Sequence, residues 1–339
     1  MNIIFMGTPD FAAAILDRLM RENVPVTLAV TQPDREKGRG RKIEESAVKT
    51  CAEKWNIPVF QPSKIRLPEN AERIRAEKPD LIIVAAFGQI LSQEILDIPR
   101  LGCINVHGSL LPKYRGAAPI QRSILDGEKE TGVTIMQMDA GIDTGDMIAQ
   151  EKVEIAADET SGSLYEKLAE AGGNLLIRTL PSILDGTAVR TPQPEEGASY
   201  AKMLDRRMGK IDWTKSAEEI GRLVRGLNPW PSAYTTLGGR EFKIWGAAAQ
   251  DGVSADLECP ADADVCAPGT VVCMDKERIY VKTGRGILAL TEVQAEGKKR
   301  MPASAFMRGF HFEPGKTVLG GEARYKNEQQ TDRHPQTRP

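Results

Sequence analysis

Short, dense apolar runs alternate with longer amphipathic stretches over the first half of the chain. Asn2 to Met6 predicts a buried strand, Gly7-Thr8-Pro9-Asp10 breaks it, and Phe11 to Arg21 spaces Phe11, Ile15, Leu16 and Leu19 along one helical stripe. Val26 to Thr31 returns as a strand. Helices are predicted over Ser46 to Trp55 and Asn70 to Glu77, with a short strand near Val59 between them. Leu81 to Ala85 is apolar throughout, as in strands covered on both faces. Cys103 to His107, Val133 to Met138 and Ile148 to Ile155 read as further strands, and Leu164, Leu168, Leu175, Leu176, Leu180 and Ile183 mark a helix over Ser163 to Leu184. This alternation of strand and helix predicts a doubly wound, Rossmann-like α/β domain.

The texture changes at Thr191 to Tyr200, a polar, proline-bearing run that reads as a linker. Beyond it, Ser216 to Gly226 is amphipathic and ends at Asn228-Pro229-Trp230-Pro231. Short strand-like runs follow near Ala233 to Thr236, Lys243 to Ala247, Gly269 to Val272, Ile279 to Lys282 and Ile287 to Val293, which predict a small β-barrel. The expected boundaries are a catalytic domain over 1–189, a linker over 190–205, a barrel over 206–316 and a disordered tail over 317–339, where Gln, Arg, Pro and Thr dominate.

A length of 339 residues agrees with two domains, and 41% hydrophobic with 27% charged residues is ordinary for a soluble protein. Leu81 to Phe87, the longest clean apolar run, is too short to span a bilayer, and the N-terminus enters a glycine turn where a signal peptide would continue apolar. A cytoplasmic protein with no membrane partner is expected. Five cysteines without a C-x-x-C pair suit a reducing compartment. Cys259, Cys266 and Cys273 are evenly spaced, but no histidine lies near them, so small hydrophobes are favoured over a metal site and no metal is expected. A net charge of −2 gives no global pull on nucleic acid; an RNA partner would need local basic patches. Dinucleotide binding has weak support, since only Gly7 stands where G-x-G-x-x-G needs three glycines.

Candidate chemistry concentrates between Leu101 and Asp146. Asn105 and His107 sit two apart, so they share one strand face at the carboxyl end where α/β proteins place ligands. Gly108-Ser109-Leu110-Leu111-Pro112-Lys113-Tyr114-Arg115-Gly116 reads as an ordered loop, bracketed by glycines and stiffened by proline. Asp139-Ala140-Gly141-Ile142-Asp143-Thr144-Gly145-Asp146 places three carboxylates in a glycine-rich turn able to face the same cleft. Singly, each residue has a plainer account: a packed histidine, or an aspartate capping its own turn.

Together, the Asn-x-His pair, the SLLPKYRG loop and Asp143 resemble the folate-dependent formyltransferases. GTPDF, AAPIQR, GVTIMQMDAGIDTGDM and LNPWPSA bring the likeness closer to the methionyl-tRNA formyltransferases, over about residues 1–315. The resemblance implies a 10-formyltetrahydrofolate co-substrate, methionyl initiator tRNA as acceptor, a monomer, no metal, and a barrel of oligonucleotide-binding (OB-like) type. It carries over Asn105, His107 and Asp143 as the catalytic set, and Ser109, Leu110, Leu111 and Pro112 as a folate-contacting loop. Phe87, Gly88, Gln89, Ile90 and Leu91 would wall the pterin, unless that segment is a plain strand-to-helix loop. The GTPDF turn would shape the pocket for the acceptor amino acid.

The Gln32 to Glu45 segment carries Arg35, Lys37, Arg39, Arg41 and Lys42 among Asp34, Glu36, Glu44 and Glu45, so its own composition allows a solvated loop. By resemblance it enters the acceptor end of tRNA, with Arg39, Arg41 and Lys42 in contact. Arg206, Arg207 and Lys210 at the linker, with Lys298, Lys299, Arg300 and Arg308 on the barrel, would extend a basic track, or form a solvated rim. Arg115 fits a phosphate contact and a structural ion pair equally. Two rivals remain open: a formyltransferase or hydrolase acting on a small amine, and a non-catalytic RNA-binding protein.

Overall fold

The computed structural model describes residues 1–37, 42–250, 259 and 265–321, and places them in two compact units, 1–204 and 205 onward. The first unit is built on a seven-stranded sheet in the order Met147–Glu154, Glu130–Gln137, Cys103–His107, Leu81–Ala85, Ile3–Gly7, Val26–Val30, Val59–Phe60. The last five of these run parallel; Glu130–Gln137 and Met147–Glu154 are antiparallel to their neighbours. From Ile3–Gly7 the chain moves out one way through Val26–Val30 and then crosses back to Leu81–Ala85, so the strand order reverses there. Ligands of open α/β sheets bind at the carboxyl ends beside such a reversal.

Both faces of the sheet are covered. Ile3, Phe5, Ile83, Ile104 and Val106 pack under the helices Asp10–Arg21 and Ser161–Asp185, while Ile4, Met6, Ile82, Val84 and Cys103 pack on the opposite side with Ile74 and Ile95. Alternate side chains of a strand point to opposite faces, so Asn105 and His107 emerge on the Cys103 side. Gly172 lets the long helix approach: a Cβ there would lie 3.0 Å from a Val106 methyl. Thr160 and Ser163 form its capping box, and Gly186 closes it at φ 79°.

Apolar spacing located the long elements to within a few residues. It did not reveal the hairpin Arg35–Lys37 with Lys42–Glu44, nor the helices Gln93–Leu96 and Pro119–Leu125, which carry too few residues to show a period. Arg39 and Arg41 lie outside the described residues.

In the second unit, antiparallel strands run in the order Ala233–Leu237, Arg240–Gln250, Ile287–Ala295, Ile279–Lys282, Val271–Met274 around an apolar core that includes Trp213, Ile244, Val281, Leu288 and Phe312. The segment 315–320 joins the two edges: Val271 N–H donates to the Thr317 carbonyl, Leu319 N–H to Gly269, and Gly320 N–H to Thr236 on the far strand. The sheet thereby closes as a barrel. Thr317 and Leu319 are buried in that seam; residues 322–339 lie outside the described residues. No helix among the described residues is long and apolar enough to cross a membrane.

One ionic contact ties the first helix to the next. Asp17 receives Lys54 Nζ at 2.7 Å, Trp55 Nε1 at 2.9 Å and Arg21 Nε at 2.6 Å. Burial opposes its charge, but these donors outweigh it and hold the carboxyl at about 2. A carboxyl depressed below its unfolded value stabilises the fold above that value and stops doing so as pH falls through the folded one. The Tm of the protein should therefore fall between about pH 4 and pH 2 partly through Asp17. Asp17→Asn should lower Tm at neutral pH and flatten that acid limb in a calorimetric series; an unchanged limb would remove Asp17 from the acid response.

Candidate active site

Asn105 and His107 end the strand Cys103–His107 with 9% and 5% of their surface exposed. Asp143 meets them from the turn after Glu130–Gln137. Asn105 Nδ2 donates to Asp143 Oδ1 at 3.2 Å, and His107 Nδ1 lies 3.6 Å from Asp143 Oδ2. The Gly116 backbone N–H donates to the same Oδ2 at 2.8 Å. His107 Nε2 stands 2.9 Å from the Tyr114 carbonyl. A carbonyl only accepts, so Nε2 carries the hydrogen, and in the neutral ring Nδ1 is the free base facing the carboxylate.

Asp143 holds this position at φ 55°, left-handed and uncommon for a side-chain-bearing residue. Gly145 permits the turn, because a Cβ there would lie 1.8 Å from the Gln137 carbonyl oxygen. Asp139 stabilises it from within: its carboxylate accepts Gly141 N–H at 3.0 Å and the Thr144 hydroxyl at 2.8 Å. Asp139 thus serves turn geometry, while Asp143 faces the histidine.

Ser109 to Pro112 is pinned to the antiparallel strands. The Thr134 hydroxyl donates to the Ser109 carbonyl at 2.7 Å and accepts from Leu111 N–H at 3.1 Å; Gln150 Nε2 donates to the Leu111 carbonyl at 2.8 Å; and the Ser109 hydroxyl donates to the Lys113 carbonyl at 2.6 Å. With those groups engaged, the loop offers a ligand mainly shape and the partly exposed Leu110 and Pro112.

Phe87 to Leu91 follows the neighbouring strand, where Val84 pairs with Asn105. Phe87 and Leu91 are buried, Gly88 turns at φ 79°, and Ile90 is 74% exposed. The Gln89 side chain serves the fold, accepting Ile65 N–H at 2.7 Å and donating to the Pro62 carbonyl at 3.1 Å. Ile142, beside Asp143, is 57% exposed. Two large apolar side chains are therefore left to solvent in the loops on either side of Asn105.

Lys42 opens a strand of the small hairpin. Arg206 reaches Glu241 at 3.4 Å, Arg207 reaches Asp205 at 3.4 Å, and Lys210, Lys298 and Lys299 are exposed. Arg300 pairs with Glu292 and sits 4.8 Å from the Trp245 ring centroid, with Lys243 Nζ at 5.7 Å from the same ring. Arg115, which by sequence fits two roles, is 2% exposed and bonded to Gln193 and Glu195. Sequence reasoning gave no role to Gly116, to the Tyr114 carbonyl or to Gln193; backbone groups leave no residue-type signal, and Gln193 lies in a run that reads only as linker.

Comparison with known proteins fits this geometry. A family model described as formyl transferase matches residues 1–180, and one described as formyl transferase, C-terminal domain, matches 203–311. The chain belongs to the formyltransferase family. It is 53% identical over 315 residues to methionyl-tRNA formyltransferase of Agathobacter rectalis, covering 93% of this chain and 98% of that one. With the protein of that name from Bacillus subtilis it shares 48% over 320 residues, covering 94% and 98%. Among solved structures, HypX from Aquifex aeolicus aligns with TM-score 0.62 at 18% identity over 93% of this chain, which spans about half of HypX (49%). The sugar 3N-formyl transferase WlaRD aligns at 0.62 and 19%, over 88% of this chain and 99% of that one. At such identities these two structures speak for the fold.

Gly145→Ala should open the Asp143 turn and expose the Gly116 amide, read as loss of hydrogen-exchange protection at Gly116 and a lower Tm. Wild-type protection in that variant would mean the turn is not packed as described.

Proposed function

We infer that this enzyme transfers the formyl group of 10-formyltetrahydrofolate to the amino group of methionyl initiator tRNA, and that Asn105, His107 and Asp143 carry the chemistry. The observation that bears most weight is the convergence of a carboxamide, an imidazole and a carboxylate at one strand end, in a chain about half identical to methionyl-tRNA formyltransferases over nearly its whole length.

Formyl transfer forms a bond from the amine nitrogen to the formyl carbon and breaks the bond from that carbon to the folate nitrogen, through a tetrahedral oxyanion. Asn105 Nδ2 gives one N–H to Asp143 and keeps the other for the oxyanion, where removing a good donor costs about 3 kcal/mol, roughly a hundredfold or more in rate. His107 Nδ1 accepts the proton that the attacking amine loses and returns it to the departing folate nitrogen, so no net proton is consumed. Asp143, 3.6 Å away, balances the charge that appears on the ring in between. The Tyr114 carbonyl keeps the ring oriented throughout.

The surroundings fit a folate. Exposed Ile90 and Ile142, the turn at Gly88 and the pinned Leu110–Pro112 loop offer apolar walls to a flat ring, with backbone groups of 87–91 as its polar partners. In this reading Arg39, Arg41, Lys42, Arg206, Arg207, Lys210, Lys298 and Lys299 hold tRNA phosphates, and residues 1–189 and the barrel divide catalysis from RNA binding across a linker at 190–205. The enzyme works as a cytoplasmic monomer without a metal.

Purified protein should formylate methionyl initiator tRNA from 10-formyltetrahydrofolate and leave small amino sugars untouched; the reverse preference would overturn the acceptor assignment. Asn105→Ala, His107→Ala and Asp143→Ala should each lower kcat by about a hundredfold or more while circular dichroism stays native. Full activity in any of them removes that residue from the mechanism. Arg39→Ala should raise KM for tRNA and reduce its dependence on salt by about one phosphate contact, with folate kinetics unaltered. Unchanged tRNA kinetics would take the basic segment out of RNA binding.

A further inference from the structure

Gln193 reaches the site from a segment that carries no other assigned role. Its Nε2 donates at 2.8 Å to the carbonyl of Asp143 and at 2.8 Å to the carbonyl of Gly145, while its Oε1 accepts from Arg115 Nε at 3.0 Å. The orientation of the carboxamide is thereby fixed, since two carbonyls must face the NH2 group and a guanidinium N–H must face the oxygen. Arg115 is itself anchored. It is 2% exposed, its guanidinium lies 3.7 Å from Glu195, and the Arg115–Gly116 backbone pairs in parallel with Tyr200–Ala201.

We propose that Gln193 is a positioning residue for the reaction, holding Asp143 in its left-handed conformation so that the carboxylate faces His107. This rests on the reading that Asp143 takes part in catalysis. Three constraints act on the Asp143 turn. Asp139 braces it from within, Gly116 and Asn105 hold the carboxylate, and Gln193 grips the backbone across two carbonyls that span residue 143 and its successors. A left-handed side-chain-bearing residue persists only where its surroundings over-determine it. Of the three, the Gln193 bracket alone comes from outside the 101–146 segment. It joins the turn to Arg115, whose neighbour Gly116 donates to Asp143 Oδ2, so one fork sets the backbone and the carboxylate of Asp143 together.

Gln193→Glu tests the bracket with little change of shape. A carboxylate still accepts from Arg115 but sets an acceptor against both carbonyls, which must swing the turn away. Displacements near 1 Å at reacting groups cost up to about a hundredfold in rate, so kcat should fall by about 10- to 100-fold. KM for folate and for tRNA should stay within about threefold, because no binding surface is removed. Gln193→Ala, which removes the bracket without adding charge, should show the same split and keeps the test usable if the Glu variant does not fold. The decisive arm is a cycle with Asp143→Asn: once Asp143 is disabled, losing Gln193 should lower kcat no further, whereas independent effects multiply. An unchanged kcat in the single variants, or multiplicative losses in the double one, would overturn the proposal. If Asp143→Asn is itself fully active, the catalytic reading of the site fails instead, and the two failures are distinguishable.

Discussion

The proposed chemistry depends on how the carboxylate of Asp143 is held. Its two oxygens accept from the Asn105 amide at 3.2 Å and the Gly116 N–H at 2.8 Å, and the second of them faces His107 at 3.6 Å. A carboxylate supplied with donors on both oxygens is fixed in direction as well as in charge. Because Asn105 spends one N–H there, its second N–H acquires a fixed direction too. In the proposed mechanism Asp143 therefore orients the oxyanion donor and balances the proton carrier with one side chain. Such an arrangement lowers a barrier by being built before the substrate arrives, so little reorganisation is left for the reaction itself.

The sheet supplies the frame for this contact by simple alternation. In Cys103–His107 the even positions, Ile104 and Val106, join the core under the long helix, and the odd positions run from apolar Cys103 to polar Asn105 and His107 as the strand leaves the interior. A register slip of one residue would bury both functional groups against Ile83 and Val133. Pairing to Leu81–Ala85 on one side and to Glu130–Gln137 on the other prevents that slip. Because Glu130–Gln137 runs antiparallel, its carboxyl end lies beside Ile104, and the 139–146 turn folds back to set Asp143 against Asn105 and His107.

What the sequence disclosed follows from the same physics. Elements with many residues per period, such as Phe11 to Arg21 or Ser163 to Leu184, reveal themselves through apolar spacing, and Leu81 to Ala85 through its unbroken hydrophobicity. Asn105, His107 and Asp143 were singled out by motifs that resemble the formyltransferases, since each residue type alone allowed a plainer account. The Gly116 amide and the Tyr114 carbonyl were hidden, since any residue supplies them. Gln193 was hidden differently. Its neighbours Pro192, Pro194, Glu195 and Glu196 give the local composition of a linker, and only the fold shows that chain lying against Arg115 and the 141–145 turn. Arg115, ambiguous as a lone arginine, is settled by being buried with partners.

Charge on the second unit poses a separate problem, because a chain at net −2 must attract a polyanion through local groups. Several of the arginines are already partnered: Arg206 with Glu241, Arg207 with Asp205, Arg300 with Glu292. Arg206 and Arg207 are 72% and 92% exposed, and exposed pairs of this kind contribute little, being screened by water and salt. A phosphate can therefore displace the carboxylate at small cost, and the new arginine–phosphate pair is partly offset by the ion pair it replaces. Arg300 differs, since its guanidinium also lies over the Trp245 ring, 4.8 Å from the centroid, a cation–π contact beside the one with Glu292. If, as proposed, these carboxylate-paired arginines hold tRNA phosphates, each contact is weak and the affinity must be summed over many phosphates.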